Sequence, residues 1–581
     1  MKKYLALILM AVLLCCVGVA AAQPEGYPEI RIDPATGKPY DFGGRTMYIL
    51  DYWSGDGARV EEPTEAQQAA YDYQDWLMST YNVKIRRMQG GDWVTCAEEM
   101  RNFVNNPDGT LRVYIIEPGK VGNLVSSGNA ADWSRSDTVD TADGYWNQGT
   151  VKNMTVGASV YGVSSGASEP RQVIFFNKRL LEEAGIDWNR LYDLQKSGDW
   201  TWSEFEKALA AVHRDLDNDG VVDVYGISGS SDDLYRMSVF SNGGEFFTIS
   251  ELGEMKPAMD SEATKAGLAW AQKIYRNYWK ETPQGANWDW YKTAWKEGEF
   301  AFYMYQAFGG FNTYSEMSDM ADEWGCLVFP KGPGSKKYLS ISSENTALIP
   351  NVYTDKEISM ISLMYQLWTM PTPGYENEDS WIGNKLDYTD ERAVFETYAM
   401  LRESDYQVND YTSWLGSVND VLGVRLLWSL AGAEADELIQ EGTPAWQEMC
   451  DNLNSGMKGC YDVSLDLSGY TLIELPAELT GLGSEALLGH GGEVLEISEN
   501  CTSIGSRAFA EAPNLKYVII PGGVSGISND AFDDCPTGMV ALVMRGSYAA
   551  EFCEDNGINY LYMSTKRSNY TPRGLTLELG Q

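Results

Sequence analysis

Apolar and polar positions alternate along the first part of the chain in blocks that carry strand and helix periods. Positions 45–53 (RTMYILDYW) predict a strand. Positions 64–81 predict a helix with Ala69, Tyr73, Trp76 and Leu77 on its apolar face, and 83–88 a second strand. A helix over 93–103 and a strand over 111–116 continue the alternation, the order expected of an α/β layer. A second set of blocks fills 173–226. An apolar run, 173–176, gives way at Asn177 to a helical pattern that stops at Gly185, a residue type suited to a left-handed C-terminal position. The next helix opens on a T-x-x-E capping box, Thr201 to Glu204, with Trp200 and Phe205 at the two positions of a hydrophobic staple. After it comes D-x-D-x-D-G-x-x-D.

The texture changes near residue 461 to short strands and small turns that repeat. Ile504 recurs as Ile527, Ala508 and Phe509 as Ala531 and Phe532, and Pro513 as Pro536, each 23 residues on. A period in the low twenties belongs to leucine-rich repeat solenoids. A degenerate earlier copy runs through 483–497, so about three units plus a cap are expected, near the minimum that stacks stably.

The blocks in 173–226 resemble the central signature of the family 1 extracellular solute-binding proteins of ABC importers, which include maltose- and oligosaccharide-binding proteins. The matching residues are Phe176-Asn177-Lys178, Ala184-Gly185, Thr201-Trp202-Ser203-Glu204-Phe205 and Tyr225-Gly226, with Phe176 where the family usually has Tyr. Positions 296–302 (KEGEFAF) resemble a later strand of that family, and 325–334 (GCLVFPKGPG) its strand and Pro-Lys-Gly turn. The C-terminal phrases 502–524 and 546–563 are similar to the leucine-rich repeats of bacterial surface proteins and their capping helix. The resemblance implies an α/β, two-lobed periplasmic-binding-protein-like fold of type II with a hinge, followed by a short leucine-rich repeat solenoid. It also implies a division: lobe 1 at about 40–168 and 298–338, lobe 2 at about 169–297 and 339–455, repeats with a C-terminal cap at 460–563, and a tail at 564–581. A further T-x-x-E box, Thr354 to Glu357, predicts a helix over 354–368, and helical segments continue to about 454.

Bulk properties narrow the function. The 581 residues leave room for about three or four domains. Lys plus Arg total 44 against 83 for Asp plus Glu, a net charge of −39 that repels nucleic acid phosphates and anionic lipid surfaces, so nucleic acid is not an expected partner. Lys2 and Lys3, an apolar stretch over 4–19 and Ala20-Ala21-Ala22 read as a signal peptide over 1–22. Cys15 and Cys16 raise an alternative, tethering through a lipid-modified cysteine, although Leu14 or Cys15 stands where a lipobox wants a small residue. The seven later cysteines form no C-x-x-C, which argues for isolated thiols over a disulfide framework, with Cys450 and Cys460 able to close a small loop. Two histidines leave almost no material for a Ser-His-Asp mechanism or a His-rich metal centre. Paired carboxylates of a glycosidase type have no specificity among 83 acidic residues.

Two groups of residues carry candidate chemistry. In the acidic loop Asp215, Asp217, Asp219, the Val221 carbonyl and Asp223 occupy positions 1, 3, 5, 7 and 9 of a calcium loop. Gly220 makes the turn, and Gly226 stands where a bidentate Glu is usual. The ion expected there is structural Ca2+; the alternative is an acidic solvated turn. The second group is aromatic. Trp53, Tyr145, Trp146, Tyr161, Trp288, Trp290, Tyr305 and Phe308 fall where the binding-protein layout faces the cleft, and Asp51, Glu344 and Asn345 are candidates for binding sugar hydroxyls. Most of the 19 Trp, 35 Tyr and 17 Phe must be core.

The expected function is a non-catalytic extracellular receptor that captures a carbohydrate, an oligosaccharide in particular, and hands it to ABC permease subunits. The rival reading is a surface adhesion protein that meets a protein partner through its repeats.

Overall fold

The computed structural model describes residues 24–563 apart from 54, 56, 170, 311–316, 318–319, 343, 377–389 and 464–468, together with the backbone of 574–575. The expected signal peptide and most of the expected tail lie outside the described residues. Among the described residues no helix is long and apolar enough to cross a membrane.

The first lobe is built on a four-stranded sheet in the order Thr346–Leu348, Leu111–Ile116, Thr46–Asp51, Lys84–Gln89. The last three are parallel and the first is an antiparallel edge. Helix Glu65–Thr80 crosses between two of them. Its start is fixed by a capping box in which Thr64 Oγ1 accepts from the Gln67 amide at 3.2 Å and Gln67 Oε1 accepts from the Thr64 amide at 2.9 Å. Tyr73 and Leu77 are buried by this helix, each stabilising the layer by about 1.5–3 kcal/mol. The next helix spans Cys96–Asn105 and starts later than the pattern predicts. Asp92 Oδ1 accepts from the amides of Val94 and Thr95, which holds 92–95 in a side-chain-closed turn.

The second lobe has its own sheet, ordered Trp324–Val328, Gln172–Asn177, Phe300–Gln306, Tyr225–Gly229. Gln172–Asn177 is buried along its whole length. Asn177 then caps helix Lys178–Glu183 by accepting from the Leu180 amide at 3.1 Å, and Gly185 has φ +76°. In the next helix, Trp202–Val212, the staple forms with Trp200 and Phe205 ring centroids 5.5 Å apart, but the Thr201 side chain makes no cap. The Trp202 amide is satisfied by the Lys331 carbonyl at 3.1 Å, and Glu204 turns to Lys207 instead. By contrast, the Thr354–Glu357 box forms in full ahead of helix Asp355–Thr369.

The lobe boundaries differ from the expected ones. Phe300–Gln306 lies antiparallel to Gln172–Asn177 and parallel to Tyr225–Gly229, and Trp324–Val328 lies on the other side of Gln172–Asn177. Strands Phe300–Gln306 and Trp324–Val328, expected in the first lobe as part of 298–338, therefore belong to the second, and the chain returns to the first lobe at Thr346–Leu348. After that it changes lobe repeatedly instead of staying in the second. In helix Asp355–Thr369, Tyr365 stacks on Trp146, and the Leu367 carbonyl accepts from Tyr73 Oη. Thr397 then bonds the Cys326 carbonyl, and Trp414 Nε1 the Asn153 carbonyl. The reason is pairing at long range: FAFYMYQ is apolar at both parities and suits the middle of either sheet.

The repeats form a parallel sheet from Leu472–Glu474, Val494–Glu496, Tyr517–Ile520, Val540–Val543 and Asn559–Met563, one strand earlier than the expected three units and a cap. Val494, Tyr517 and Val540 are in register, and Phe509 stacks near Phe532 at 5.3 Å as the 23-residue period requires. Helix Tyr548–Asp555 closes the end. Asp462–Val463, the strand that leads in from the two-lobed body, pairs beyond the cap with Asn559–Met563, which covers that sheet edge. The seven described cysteines, Cys450 and Cys460 included, are free thiols.

Candidate ligand cleft

In the first sheet the chain leaves Thr46–Asp51 toward one neighbour and reaches the other, Leu111–Ile116, only later, so the carboxyl ends of these two strands flank a topological switch point. Ligands in open α/β sheets bind in the crevice outside such ends. At this rim Asp51 is buried. Its Oδ2 accepts from Arg87 Nε and Nη2 at 3.0 and 2.8 Å, and its Oδ1 from the Trp53 amide at 3.1 Å. Asp51 thus shapes the loop and holds Trp53 outward, 51% exposed with its ring edge-on to Tyr52 at 4.8 Å. The neighbouring strand ends add Trp93, also exposed, with Lys120 Nζ 4.7 Å from its ring. Glu117 fixes the turn that carries Lys120 by accepting from the Gly119 amide.

The second lobe contributes rings in a column. Trp295 and Tyr303 are fully buried and stacked at 5.3 Å, Tyr305 stacks on Tyr303 at 5.1 Å and 9°, and Phe308 follows at 5.7 Å. The column therefore runs from core to surface and ends on Phe308, 50% exposed. Tyr291 flanks Tyr305 at 6.0 Å, and Lys292 Nζ reaches the rings of Trp288 and Tyr305 at 5.1 and 5.8 Å. Trp290 is half-buried, its Nε1 donates to Thr282 Oγ1 at 3.0 Å, and it lines a concavity of about 500 Å3 with Pro283, Asn287 and Glu297. A flat apolar surface with its supporting rings already in place costs little ordering entropy when a ligand stacks on it.

The segments that cross between lobes tie the two rims together. Tyr52 Oη donates to Asn345 Oδ1 at 2.8 Å, and the Ala307 amide donates to the Arg171 carbonyl at 2.7 Å, one residue before Phe308. Glu344 accepts from the Glu169 amide at 2.9 Å. Burial raises its carboxyl above the usual carboxylate range, and the nearby Arg171 charge opposes that rise.

Two expected ligand residues are elsewhere. Trp146 is 1% exposed and stacks on Tyr365 within the first lobe, edge-on to Trp133. Tyr161 is equally buried, against Trp414, and its hydroxyl donates to the Cys460 carbonyl at 2.8 Å. Both rings are core, where large aromatic surface contributes most. Tyr145 is largely covered as well, its hydroxyl 2.6 Å from Thr369 Oγ1. The sequence reading missed Tyr52, Trp93, Lys120, Tyr291 and Lys292. The Asp92-to-Thr95 turn signal was available and marks Trp93 as lying outside the helix.

In the acidic loop, carboxylate oxygens of Asp215, Asp217 and Asp223 lie within 4.8 Å of one another. Asp215 accepts from the amides of Asn218 and Gly220, and Gly220 has φ +89°, so the turn closes as the spacing requires. Asp219 Oδ1 accepts from the Val221 amide at 2.7 Å, and Val221 is exposed. The donors are all oxygen, the set that suits a hard cation of calcium size.

Two family profiles agree with this architecture. The BspA-type leucine-rich repeat region matches residues 452–540 in six copies. Among solved structures, the cyclic α-maltosyl-1,6-maltose binding protein from Arthrobacter globiformis is 15% identical, with 70% of this chain and 99% of that one covered and a TM-score of 0.49. The extracellular solute-binding protein from Staphylococcus aureus in complex with maltose is 16% identical, covering 71% and 98%, with a TM-score of 0.49. The Listeria monocytogenes substrate-binding protein in complex with cycloalternan is 15% identical, covering 71% and 99%, with a TM-score of 0.45. No curated protein matches this chain. The bacterial extracellular solute-binding protein profile matches residues 40–357, more than half of the chain, and with the two sheets and their crossings in place the chain belongs to that family.

Proposed function

We propose that this protein is an exported receptor that captures a carbohydrate, an oligosaccharide in particular, between its two lobes and delivers it to the permease subunits of an ABC transporter, without making or breaking a bond. The observations that carry this reading are the ring column ending at the half-exposed Phe308 in the second lobe and the exposed Trp53 and Trp93 at the strand ends of the first. The C–H faces of sugar rings stack on such surfaces, while the Lys120, Lys292 and Glu344 side chains and the amide of Asn345 supply polar partners for hydroxyls. Family membership supports solute capture, and lobes joined by several crossings supply a hinge for closure. Calorimetric titration with a panel of glycans, amino sugars and peptides tests the reading. Binding of a glycan with dissociation constants in the micromolar range or tighter is the expected result; binding of peptides alone, or of nothing in the panel, counts against it.

The loop of Asp215, Asp217, Asp219, Val221 and Asp223 takes Ca2+ as a structural ion. Asp215, Asp217 and Asp223, whose carboxylate oxygens lie together, would hold it, and the bound charge would offset their mutual repulsion. Its task is to pin the turn between helix Trp202–Val212 and strand Tyr225–Gly229, with no part in ligand binding.

A further inference from the structure

A parallel solenoid sheet has two faces, one turned into its own core and one outward. In these repeats the first face is Ile473, Leu495, Val518, Ile520, Ala541 and Val543, which cluster with the solenoid's own apolar residues. The alternate positions are apolar too. Leu472, Val494, Ile519 and Leu542 are at most 5% exposed, yet they belong to the continuous core of the two-lobed body. The outward face that a repeat domain would offer to a partner is therefore seated on this chain's own lobes.

The lead-in strand shows where. Asp462 exchanges bonds with the first lobe: its amide donates to Ser159 Oγ at 3.0 Å and its carbonyl accepts from the Ala158 amide at 2.7 Å. The adjacent Tyr461 reaches the second lobe, its hydroxyl donating to the Leu252 carbonyl at 2.7 Å. Glycines make both approaches possible. A Cβ on Gly157 would stand 2.5 Å from the Asp462 carbonyl oxygen, and one on Gly253 would stand 2.4 Å from the Tyr461 ring. Helix Ala435–Met457, which feeds this strand, spans the same gap. Asn454 exchanges two bonds with Met255 of the second lobe, and the helix glycine Gly456 lies against Ser126 of the first.

We infer that the repeat domain is an intramolecular brace, seated by the outward face of its sheet across both lobes, that restrains their relative motion. A protein partner of the repeats, on this account, has to use another surface. Hydrogen exchange on the full chain tests the inference without any ligand. Ile519→Glu places a charge on the seated face and leaves the solenoid's own core untouched. The expected result is about tenfold faster exchange at 157–161 and 250–254 and also at the lobe crossing, where the Ser342 amide bonds the Val408 carbonyl, with Val518 and Ala541 still protected. Faster exchange confined to 157–161 and 250–254, or no change at all, overturns the brace. If Ile519→Glu unfolds the solenoid, Tyr461→Phe decides: it removes one hydroxyl, and a two- to fivefold increase at Ser342 is expected where an unchanged rate contradicts the proposal.

Discussion

Tyr52 and Asn345 are joined by a 2.8 Å hydrogen bond that ties the carboxyl end of the first lobe's central strand to a segment crossing between lobes. The bond fixes the ring on which Trp53 leans. Tyr52→Phe keeps the ring and removes the bond, so it should lower stability by about 1 kcal/mol and weaken glycan binding by a similar free energy. Thermal melts and calorimetry read the two separately.

Phe308 and Trp53 are half exposed, and their removal should cost little in folding. Phe308→Ala and Trp53→Ala are expected to stay within about 0.5–1 kcal/mol of the wild type in denaturant melts. Each is expected to lose roughly tenfold or more in glycan affinity. Trp146→Ala provides the contrast: its ring is interior, so the variant should lose about 3–5 kcal/mol of stability.

Glu344 makes stability depend on pH. Its folded-state carboxyl is raised by burial above the unfolded value, so the native state holds the proton over a window in which the unfolded chain has released it. The sign follows: stability falls as pH rises from the unfolded value through the raised folded value, and the penalty is fully present above that window. Glu344→Gln should remove this component. Melting temperatures of the two proteins from pH 4 to 8 should diverge with rising pH, the variant becoming relatively more stable; parallel curves would contradict the assignment.

Calcium should raise the melting temperature of the wild type and leave Asp217→Ala unchanged. A ligand at 100 times its dissociation constant contributes about 2.7 kcal/mol to a protein that binds it only when folded. Equal melting temperatures with chelator and with millimolar calcium would remove the ion from the account. Glycan affinity is expected to be the same in both conditions at temperatures far below the melt.

Much of the fold was legible in the chain because strands and helices impose local periods. Leu111–Ile116 matches its expected bounds, and the 23-residue spacing of Phe509 and Phe532 corresponds to stacked turns. What local pattern cannot carry is which sheet a buried strand joins. Phe302 sits between Phe176 and Ile227 through pairings 126 and 75 residues away, and nothing within FAFYMYQ encodes either neighbour. The same limit applies to the rings. Trp146 and Trp53 are alike in sequence context, and only the packing of Tyr365 against the former separates core from rim. One signal was present and unread: YVII and VALV are apolar at both parities, which marks a sheet covered on both faces.

Closure of two lobes on a sugar between Phe308 and the Trp53 rim is tested most directly by small-angle X-ray scattering with and without a saturating glycan from the panel. The radius of gyration should contract when the wild type binds, and Phe308→Ala should need roughly tenfold more glycan to reach the same contraction. A wild-type protein that binds the glycan with no change in its scattering profile would contradict the account.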